Sequence, residues 1–440
     1  MTSTDAASHA LQIPIEPFTL ANGLRVVLSE DHATPIVAVN LWYHVGSANE
    51  REGRTGFAHL FEHMLFQGSE HVGANEHFEL IQRAGGTLNG STWLDRTNYF
   101  ETLPAHQLEL ALWLEADRMG RLLPAMTQEK LDTQRDVVKN ERRWSVDNQP
   151  YGTWWERLPA LCFPAEHPFH HSLIGSMEHL TAASLEDVAE FFRTYYTPDN
   201  AVLTIVGDFE PGAARAAIER HFGAIARGAG KPPLPAMDVA PRFGGWRRET
   251  VEDAVVSPRL FLAFRIPPFG AEAWYAPSLL GSVLGTGDGS RLQRALVREQ
   301  AIASSVSVFT FDLSKGSDLL VCDVTARPGV SAEALERAVV AEVDRVLRDG
   351  VNADECARAL ALAETSWVEA LQSAASRADR LSQYATYFGD PARLNSELAR
   401  YRQLTPDDVT RAARALLGED NRASLIYVPR AESPIDQAAA

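Results

Sequence analysis

Hydrophobic residues follow two different spacings along the chain. Short runs rich in β-branched and aromatic residues predict strands. They include GLRVVLSED and PIVAVNLWYHVG, which we interpret as neighbouring strands, and SPRLFLAFRIP in the second half. Apolar residues that recur every three or four positions predict amphipathic helices, among them residues 107–119 and 333–348. Strands mixed with long helices in each half predict an α+β fold, in which helices cover one face of a sheet.

The two halves of the chain end in similar sequences. SLEDVAEFFRTYYTPDNAVLTIV begins at Ser184, TPDDVTRAARALLGEDNRASLIYV begins at Thr405, and five identical residues recur at a constant offset of 221. In both copies a hydroxyl residue that can cap a helix precedes an amphipathic stretch, an Asp-Asn turn and a β-rich run. The constant offset indicates a duplicated α+β domain.

A segment rich in glycine and proline separates these halves. It reads GAIARGAGKPPLPAMDVAPRFGG, and its four prolines oppose regular helix. A chain of 440 residues is also longer than one ordinary core supports. We therefore predict two domains, residues 1–222 and 246–440, joined by a linker over residues 223–245.

Composition excludes several classes of protein. With 41 basic and 58 acidic residues, the net charge of −17 makes the chain a poor candidate for binding nucleic acid or anionic membranes. Cys162, Cys322 and Cys356 are far apart and form no CxxC, so we expect reduced core residues. No apolar run approaches the roughly 20 residues that cross a bilayer. The N-terminal stretch lacks the features of a secretory signal. We expect a cytoplasmic chain, or a periplasmic one if a signal peptide has been removed.

The 13 histidines all lie at or before His221, so any imidazole chemistry belongs to the first domain. The segment TGFAHLFEHMLFQGS places His59, Glu62 and His63 as H-x-x-E-H. On a helix these positions share one face. The two imidazoles can then reach one zinc ion, and the glutamate can take a proton from water; this order of residues is the inverzincin signature.

The alternative is a helix with two buried histidines and a glutamate. At the offset of 221, the equivalent positions of the second half are apolar: Leu280, Val283 and Leu284. The fold therefore does not require polar residues at these positions. The first domain carries them for another reason.

A catalytic zinc ion requires a third protein ligand. The predicted helix TQEKLDTQRDVVKNERRW places Leu131, Val138 and Glu141 on one stripe, so that Glu141 faces inward. An acid that faces a core needs a partner, and a metal ion is one. The alternative is an exposed helical glutamate such as Glu129, and spacing alone does not decide between them.

In these residues the chain resembles the pitrilysin and insulin-degrading-enzyme family of inverzincin zinc peptidases. Within that family it is most similar to the short two-chain branch that contains mitochondrial processing peptidase. The resemblance covers nearly the whole chain, including ANGLRVVLSED, G-x-x-H-x-x-E-H-M-x-F-x-G-S, GGTLNGSTWLDRTNYF, RDVVKNE and HPFHHSLIG. It implies two homologous domains, each a mostly antiparallel sheet covered by helices, that form half of a clamshell.

The resemblance also implies roles for individual residues. His59, His63 and Glu141 would hold one Zn²⁺ per chain, and Glu62 would be the general base. A peptide substrate would add as a β-strand to an edge strand formed by Asn89, Gly90, Ser91 and Thr92. An unpaired edge offers backbone groups to any extended peptide. A plain turn at Asn89-Gly90 is the alternative.

Two departures from the family pattern stand out. Gln134 occupies a position, seven residues before Glu141, where the family usually has a second glutamate, so the surroundings of the metal ligand would carry less charge. In LVREQAIASSVSV the family's second-domain arginine is present as Arg298, but Ser304 or Ser305 stands in place of its tyrosine. A tyrosine supplied from elsewhere is the alternative.

These departures shape the predicted function. We predict a zinc metalloendopeptidase subunit that cuts peptides and unfolded segments in a closed chamber. It would be active as a heterodimer with a homologous partner that supplies Arg and Tyr, with a homodimer as the second choice. The alternative is a non-catalytic structural core subunit or peptide-binding subunit of the same family.

Two further motifs are predicted to be structural. HPFHH, at residues 167–171, places two histidines side by side, where extended side chains point apart. The resemblance implies an ordered loop here, so packing is favoured over a second metal site. GTGDGSRL, at residues 285–292, lacks the lysine and the preceding strand of a phosphate-binding loop, and the resemblance implies that it connects helices next to the second-domain site.

Overall fold

The computed structural model describes residues 12–230 and 236–430. Within them the strands form two sheets, one from each half of the sequence, and helices pack on both. This arrangement confirms the predicted α+β class. The first 11 residues, and residues 231–235 of the predicted linker, lie outside the described ranges. No helix in the described ranges has both the length and the apolar character required to cross a bilayer.

The first sheet has six strands. They are β1 (Glu16–Thr19), β2 (Arg25–Glu30), β3 (Ile36–Tyr43), β4 (Thr87–Thr92), β5 (Thr97–Pro104) and β6 (Ala201–Gly207). Their order is β1-β2-β6-β3-β5-β4, with β2 and β6 parallel and the other pairs antiparallel. The prediction that β2 and β3 are neighbours is wrong, because the later strand β6 lies between them and pairs with both.

The second sheet has five strands. They are β7 (Arg247–Asp253), β8 (Arg259–Ile266), β9 (Ala303–Thr310), β10 (Asp318–Ala326) and β11 (Ala423–Pro429). Their order is β7-β11-β8-β10-β9, and only β7 and β11 are parallel. Among the described strands, β4 and β9 therefore lie at sheet edges, where one row of backbone groups has no strand partner.

Helices surround both sheets. Those of the first half are α1 (Phe57–Met64), α2 (Glu76–Arg83), α3 (Leu108–Arg121), α4 (Gln128–Arg142), α5 (Trp154–Cys162), α6 (Met177–Ala182), α7 (Leu185–Tyr195) and α8 (Pro211–Phe222). Those of the second half are α9 (Tyr275–Gly285), α10 (Ala332–Asp349), α11 (Ala353–Gln372), α12 (Ala374–Phe388), α13 (Glu397–Arg402) and α14 (Pro406–Leu416). Helices α3 and α10 confirm the two helices predicted from periodicity.

The duplication has a structural counterpart at the end of each half. Helices α7 and α14 both begin with a capping box. The side-chain amide of Asn200 donates to the carbonyl oxygen of Tyr195 at 2.8 Å, and that of Asn421 donates to the carbonyl oxygen of Leu416 at 2.7 Å. The acceptors, like the donors, are 221 positions apart, so the repeated residues make the same contact in both halves.

Each sheet is also covered by a helix from the other half of the chain. Helix α12 of the second half packs on β3 and β6, and α5 of the first half packs on β8 and β11. Strand β3 is buried at all but its first residue because both of its faces are covered. The expectation of helices on one face only is therefore incomplete, since periodicity within one half cannot show a helix that arrives from the other.

Polar contacts fix the position of α12 on the first sheet. Asp379 accepts hydrogen bonds from Asn40 Nδ2 at 3.3 Å and from Trp42 Nε1 at 3.0 Å. Ser382 donates to the hydroxyl of Thr204 at 2.7 Å. Buried polar groups tolerate few alternative positions, so these bonds specify one arrangement of the two halves.

A second set of buried polar side chains surrounds Arg118, and we call it the buried polar group behind α1. Arg118 of α3 forms an ion pair with Glu115, lies 3.8 Å from Glu101 of β5, and stacks on Tyr99 with its guanidinium carbon 4.1 Å from the ring centre. His77 of α2 completes the group, 3.3 Å from Glu101. Burial lowers the pKa of His77 to about 3, so its imidazole is neutral beside the guanidinium. Burial raises the pKa values of Glu101 and Glu115, and the charge of Arg118 opposes the rise.

A remote carboxylate caps the N-terminus of α1. The helix begins after Gly56, whose φ of 88° lies in the left-handed region that glycine adopts at little cost. The buried carboxylate of Glu50 accepts the N–H of Gly56 at 2.9 Å and that of Ala58 at 2.7 Å. Burial raises the pKa of Glu50, and these hydrogen bonds oppose the rise. Glu50 thus satisfies helix N–H groups that otherwise have no partner.

We expect Glu50→Ala to lower the free energy of unfolding by about 1–3 kcal/mol, because it leaves two buried N–H groups without an acceptor. Urea unfolding of the purified chain measures this change. The matched control is Glu52→Ala, which alters an exposed neighbour and should change stability by less than about 0.5 kcal/mol. Equal losses in the two variants would contradict the capping role.

The buried His77 should make stability depend on pH. An unfolded histidine has a pKa of about 6.5. Between this value and the folded value of about 3, the unfolded chain binds a proton that the folded chain does not, so the free energy of unfolding falls as pH is lowered. Wild type should lose stability more steeply than His77→Asn as the pH falls from 6.5 to 4 in urea titrations.

His32 provides a control of opposite sign. It is exposed, and hydrogen bonds to Asp208 and Glu30 raise its pKa. Its contribution to stability is therefore present at low pH and is lost as the pH rises, so His32→Asn should lose stability more steeply than wild type on acidification. Identical slopes for wild type and His77→Asn would show that the buried imidazole is not neutral.

Candidate metal centre

Helices α1 and α4 bring three metal-ligating side chains together. His59 and His63 stand one turn apart on α1, and Glu141 lies in the last turn of α4. Nε2 of His63 is 3.2 Å from Oε2 of Glu141, and Nε2 of His59 is 3.6 Å from Oε1. The three ligand atoms lie within 4.8 Å of one another. Two imidazoles and a carboxylate are the donor set of one class of catalytic zinc site.

The protonation states of His59 and Glu141 favour the binding of a cation. Burial lowers the pKa of His59 to about 4, so its imidazole is neutral and can ligate. The hydrogen bond from His63 lowers the pKa of Glu141, whose carboxylate is therefore ionised. Metal ligands must be deprotonated in this way before they bind. Within the described residues, Nδ1 of His59 has no hydrogen-bond partner.

Glu62 lies between this group and the edge strand β4. The hydroxyl of Thr92 donates to Glu62 Oε2 at 2.6 Å. Burial raises the pKa of Glu62, and the hydrogen bond from Thr92 opposes the rise. A carboxylate with a raised pKa is a better proton acceptor than an exposed one, as a general base near neutral pH requires.

Asn89 and Gly90 lie inside strand β4, so the alternative of a turn at this dipeptide is wrong. The backbone of Gly90 packs directly against α1, because a Cβ at this position would come within 3.2 Å of Glu62 Cγ and of the rings of Phe66 and Tyr99. Glycine therefore lets the edge strand lie close to the glutamate. The exposed side chain of Asn89 accepts the N–H of Gly90 at 2.9 Å.

The other predicted site residues lie on strand β4 and helix α4. Ser91 donates to Asn98 Oδ1 at 2.7 Å, on the neighbouring strand. Thr92 is buried and holds Glu62, so its side chain faces the α1 helix. Gln134 is 8% exposed on α4, two turns before Glu141.

A second set of metal-type donors lies nearby: His77, Glu101 and Glu115. All three are buried, but the guanidinium of Arg118 already lies among them. A fixed positive charge opposes the entry of a metal cation. This set is therefore part of the buried polar group behind α1.

The HPFHH segment packs as predicted. His167 stacks on Phe163, with ring centres 4.6 Å apart, and its Nε2 faces the carbonyl oxygen of Met237 at 3.0 Å. His170 Nδ1 faces the carbonyl oxygen of Phe163 at 2.9 Å. The GTGDGSRL segment follows α9 and connects it to the π-helical turn Gln293–Glu299, as predicted. The three cysteines are free and buried, which confirms the prediction for them.

The second-domain residue Arg298 does not join the donor group. It lies on the turn Gln293–Glu299, more than half exposed, and pairs with Asp288. Ser304 is at the start of β9, whereas Phe311, just beyond its end, contacts Trp155 of the first half. At about 3.3 Å per residue, β9 places Ser304 roughly 23 Å from Phe311.

Sequence reasoning missed an apolar cavity of about 310 Å³ beside the donors. His59 and Glu141 line one side, and the other walls include Trp93, Trp155 and Phe311. Trp93 directly follows β4, Trp155 lies on α5, and Phe311 belongs to the second half. The aromatic doublet at 154–155 was the available signal, but no local pattern unites three such distant segments.

Known protein families match both halves of the chain. The model for insulinase, peptidase family M16, matches residues 25–161, which contain all three donors and Glu62. The model described as the peptidase M16 inactive domain matches residues 182–362, which contain Arg298.

Individual proteins extend these matches. Zinc protease PqqE of Helicobacter pylori is 29% identical over 416 residues, which cover 94% of this chain and 92% of that protein. A protease from Helicobacter pylori has a crystal structure with a TM-score of 0.89 and 27% identity, covering 95% of this chain and 100% of that one. The fold also matches the periplasmic protease PqqL from Escherichia coli, with a TM-score of 0.76, 21% identity and coverage of 98% of this chain but 50% of that one. The resemblance to the insulin-degrading-enzyme family is thereby confirmed, and the chain belongs to peptidase family M16, the insulinase family.

Proposed function

We propose that this chain is the zinc-bearing subunit of a metalloendopeptidase that hydrolyses peptides and unfolded segments inside a closed chamber. One observation carries the proposal: the ligand atoms of His59, His63 and Glu141 lie within 4.8 Å of one another, with Glu62 on the same helix. A relative named as a zinc protease supports the metal and the reaction class.

The donor chemistry fits one catalytic zinc ion per chain. Three protein ligands leave a fourth position for water or substrate, whereas structural zinc sites usually have four protein ligands. The lowered pKa values of His59 and Glu141 mean that these two ligands need not lose a proton first. Gln134 would tune the surroundings of the ligands by hydrogen bonding without adding a charge.

A zinc ion held by these residues would polarise the scissile carbonyl and lower the pKa of a water molecule. Glu62 accepts a proton from that water molecule as the water oxygen adds to the carbonyl carbon. Glu62 then passes the proton to the leaving amine when the C–N bond breaks, and so returns to its ionised form. The hydrogen bond from Thr92 orients the carboxylate for both transfers.

Strand β4 provides the surface for the substrate. Among the described strands it pairs only with β5, so its outer edge offers backbone groups from Asn89 to Thr92. An extended peptide that pairs with this edge gains main-chain hydrogen bonds that do not depend on its sequence. Because Gly90 has no side chain, strand β4 lies close to Glu62. A peptide paired with β4 would therefore also lie close to Glu62.

The remaining catalytic groups would come from a homologous partner. Arg298 lies at the far end of β9 from the cavity beside the donors, and no tyrosine occurs between Tyr275 and Tyr384. A partner that retains the Arg and Tyr of the second-domain motif would supply both groups across the chamber. This chain matches half the length of PqqL. That relation supports an assembly of two units of this size.

We expect Glu62→Gln to retain one zinc ion per chain but to lower cleavage by about 10²–10⁴-fold, because an amide cannot accept the proton. Glu141→Gln should lose zinc as well as activity. Zinc content by mass spectrometry and cleavage of a quenched fluorescent peptide by the active assembly measure both effects. Glu129→Gln, an exposed change on the first turn of the same helix, is the matched control and should alter neither. Cleavage that survives Glu62→Gln would refute the mechanism.

We expect the purified, zinc-loaded chain by itself to show little chelator-sensitive turnover of unstructured peptides, since its second-domain motif carries serine in place of the tyrosine that would stabilise the developing oxyanion. Adding a homologous chain that carries Arg and Tyr but lacks H-x-x-E-H should restore turnover by orders of magnitude. Full activity from a homodimer would overturn the heterodimer. Zinc without turnover in the presence of every such partner would instead favour a structural or peptide-binding subunit.

A further inference from the structure

Arg142 is the last residue of helix α4 and directly follows Glu141, one of the three metal-type donors. Its guanidinium donates to both carboxylate oxygens of Glu156 on helix α5, with Nη2 at 3.1 Å from Oε2. Nη1 also donates to the carbonyl oxygen of Gly175 at 2.8 Å. Only 15% of the Arg142 side chain is exposed. A bidentate pair with an additional backbone acceptor fixes the direction of a guanidinium more closely than one hydrogen bond does.

Gly175 lies against the first residues of helix α1. A Cβ at Gly175 would be 2.3 Å from the carbonyl oxygen of Thr55 and 2.4 Å from the backbone nitrogen of Gly56, so this approach requires glycine. Gly56 is the N-cap of α1, three residues before His59. The contact of Arg142 with Gly175 therefore joins the end of α4 to the start of α1, and these are the two helices that carry the donors.

Helix α5 holds the other partner of Arg142 in place. It packs on strands β8 and β11 of the second sheet, where Trp154 stacks on Phe261 with ring centres 4.6 Å apart. The hydroxyl of Ser172 donates to Oε1 of Glu156 at 2.6 Å. A displacement of α4 would therefore pull Arg142 away from a carboxylate whose position is set by packing against the second half of the chain.

The end of α4 has little other support. The carbonyl groups in the last turn of a helix lack intrahelical donors, and helix ends fray. The side chain of Glu141 is 41% exposed, so it is only partly packed. The chain continues as the π-helical turn Arg143–Asp147, none of whose residues is buried. The contacts of Arg142 are thus the main polar link between this helix end and the rest of the fold.

The positive charge of Arg142 is compensated by acids other than the donor. Among the described ion pairs, Glu141 pairs with the two histidines of α1, whereas Arg142 pairs with Glu156 and lies 3.6 Å from Asp147. The carboxylate of Glu141 therefore remains available to a cation. Arg142 can act on the donor group through the position of α4 without neutralising its charge.

We propose that Arg142 is a positioning residue that sets the place of Glu141 relative to His59 and His63, and thereby the affinity of the chain for its metal ion. This role rests on the proposed zinc site and adds to it a residue outside the donor set. Lysine cannot replace Arg142 in full, because a single ammonium group lacks the planar fork that binds both oxygens of one carboxylate.

Zinc affinity measures this role without any cleavage. The purified chain is titrated with Zn²⁺ in competition with a chromophoric chelator. Arg142→Met should bind zinc about 10–100-fold more weakly, as is typical when a residue that orients a metal ligand is lost. Arg142→Lys should recover part of the affinity. With Co²⁺ in place of zinc, Arg142→Met should shift the visible absorption bands, because they depend on the coordination geometry.

Arg142 and Glu156 should act as a unit. Glu156→Gln should also weaken zinc binding, and the double variant should lose little more affinity than Arg142→Met alone, since both changes break the same contact. Glu156→Gln has almost the same shape as wild type, so it provides the same comparison if Arg142→Met does not fold.

Two control variants separate position from general stability. Arg143→Met alters the exposed neighbour, whose side chain donates to Asn140 at 2.7 Å, and should leave zinc affinity unchanged. Arg259→Met removes a bidentate pair with Asp323 in the second sheet. This variant should lower the melting temperature but change neither the zinc affinity nor the cobalt spectrum.

The outcomes distinguish the positioning role from the zinc site itself. Equal zinc affinity and identical cobalt spectra for wild type and Arg142→Met would overturn the positioning role. An equal loss of affinity in Arg142→Met and Arg259→Met would also overturn it, because affinity would then follow general stability. A wild-type chain that binds no zinc would refute the proposed zinc site, and the role of Arg142 with it.

Discussion

The close contact between helix α1 and edge strand β4 is the constraint on which the site depends. Gly90 allows the strand to lie against Glu62, because any larger residue would come within 3.2 Å of the Glu62 side chain. The same strand ends in Thr92, whose hydroxyl holds the Glu62 carboxylate at 2.6 Å. A single packing contact thus brings the proposed substrate edge, the proposed base and the helix of the two histidines together.

Buried charges support this contact from the opposite side. Glu50 satisfies the N-terminus of α1, and the Arg118 guanidinium lies among acids behind Tyr99. Burying charges is unfavourable unless each is paired. Here each acid faces either helix N–H groups or the guanidinium. The eight-residue helix is therefore held at its start and from behind, while the face with His59 and His63 meets Glu141.

The exchange of helices between the halves has a functional consequence. Helix α5 covers the second sheet, and α12 covers the first, so the halves of one chain are bound together by two apolar clusters and by the polar contacts of Asp379. The aromatic cavity lies on this shared boundary, with walls from both halves. A duplicated fold whose copies pack in this way can place a second-half residue, Phe311, beside donors that belong to the first.

The sequence by itself determined the α+β class, the duplication and the local pattern H-x-x-E-H, because strand periodicity, helix periodicity and spacing within one helix turn are local properties. Spacing left Glu141 and an exposed glutamate such as Glu129 as alternatives, and only the resemblance to the family pointed to Glu141. The sequence could not order the strands correctly, because β6 enters between β2 and β3 from more than 150 residues away. Only the tertiary structure decided that Thr92 holds Glu62, that Glu50 caps α1, and that Trp93, Trp155 and Phe311 meet. These contacts join distant segments, and the packing of the whole chain sets such distances.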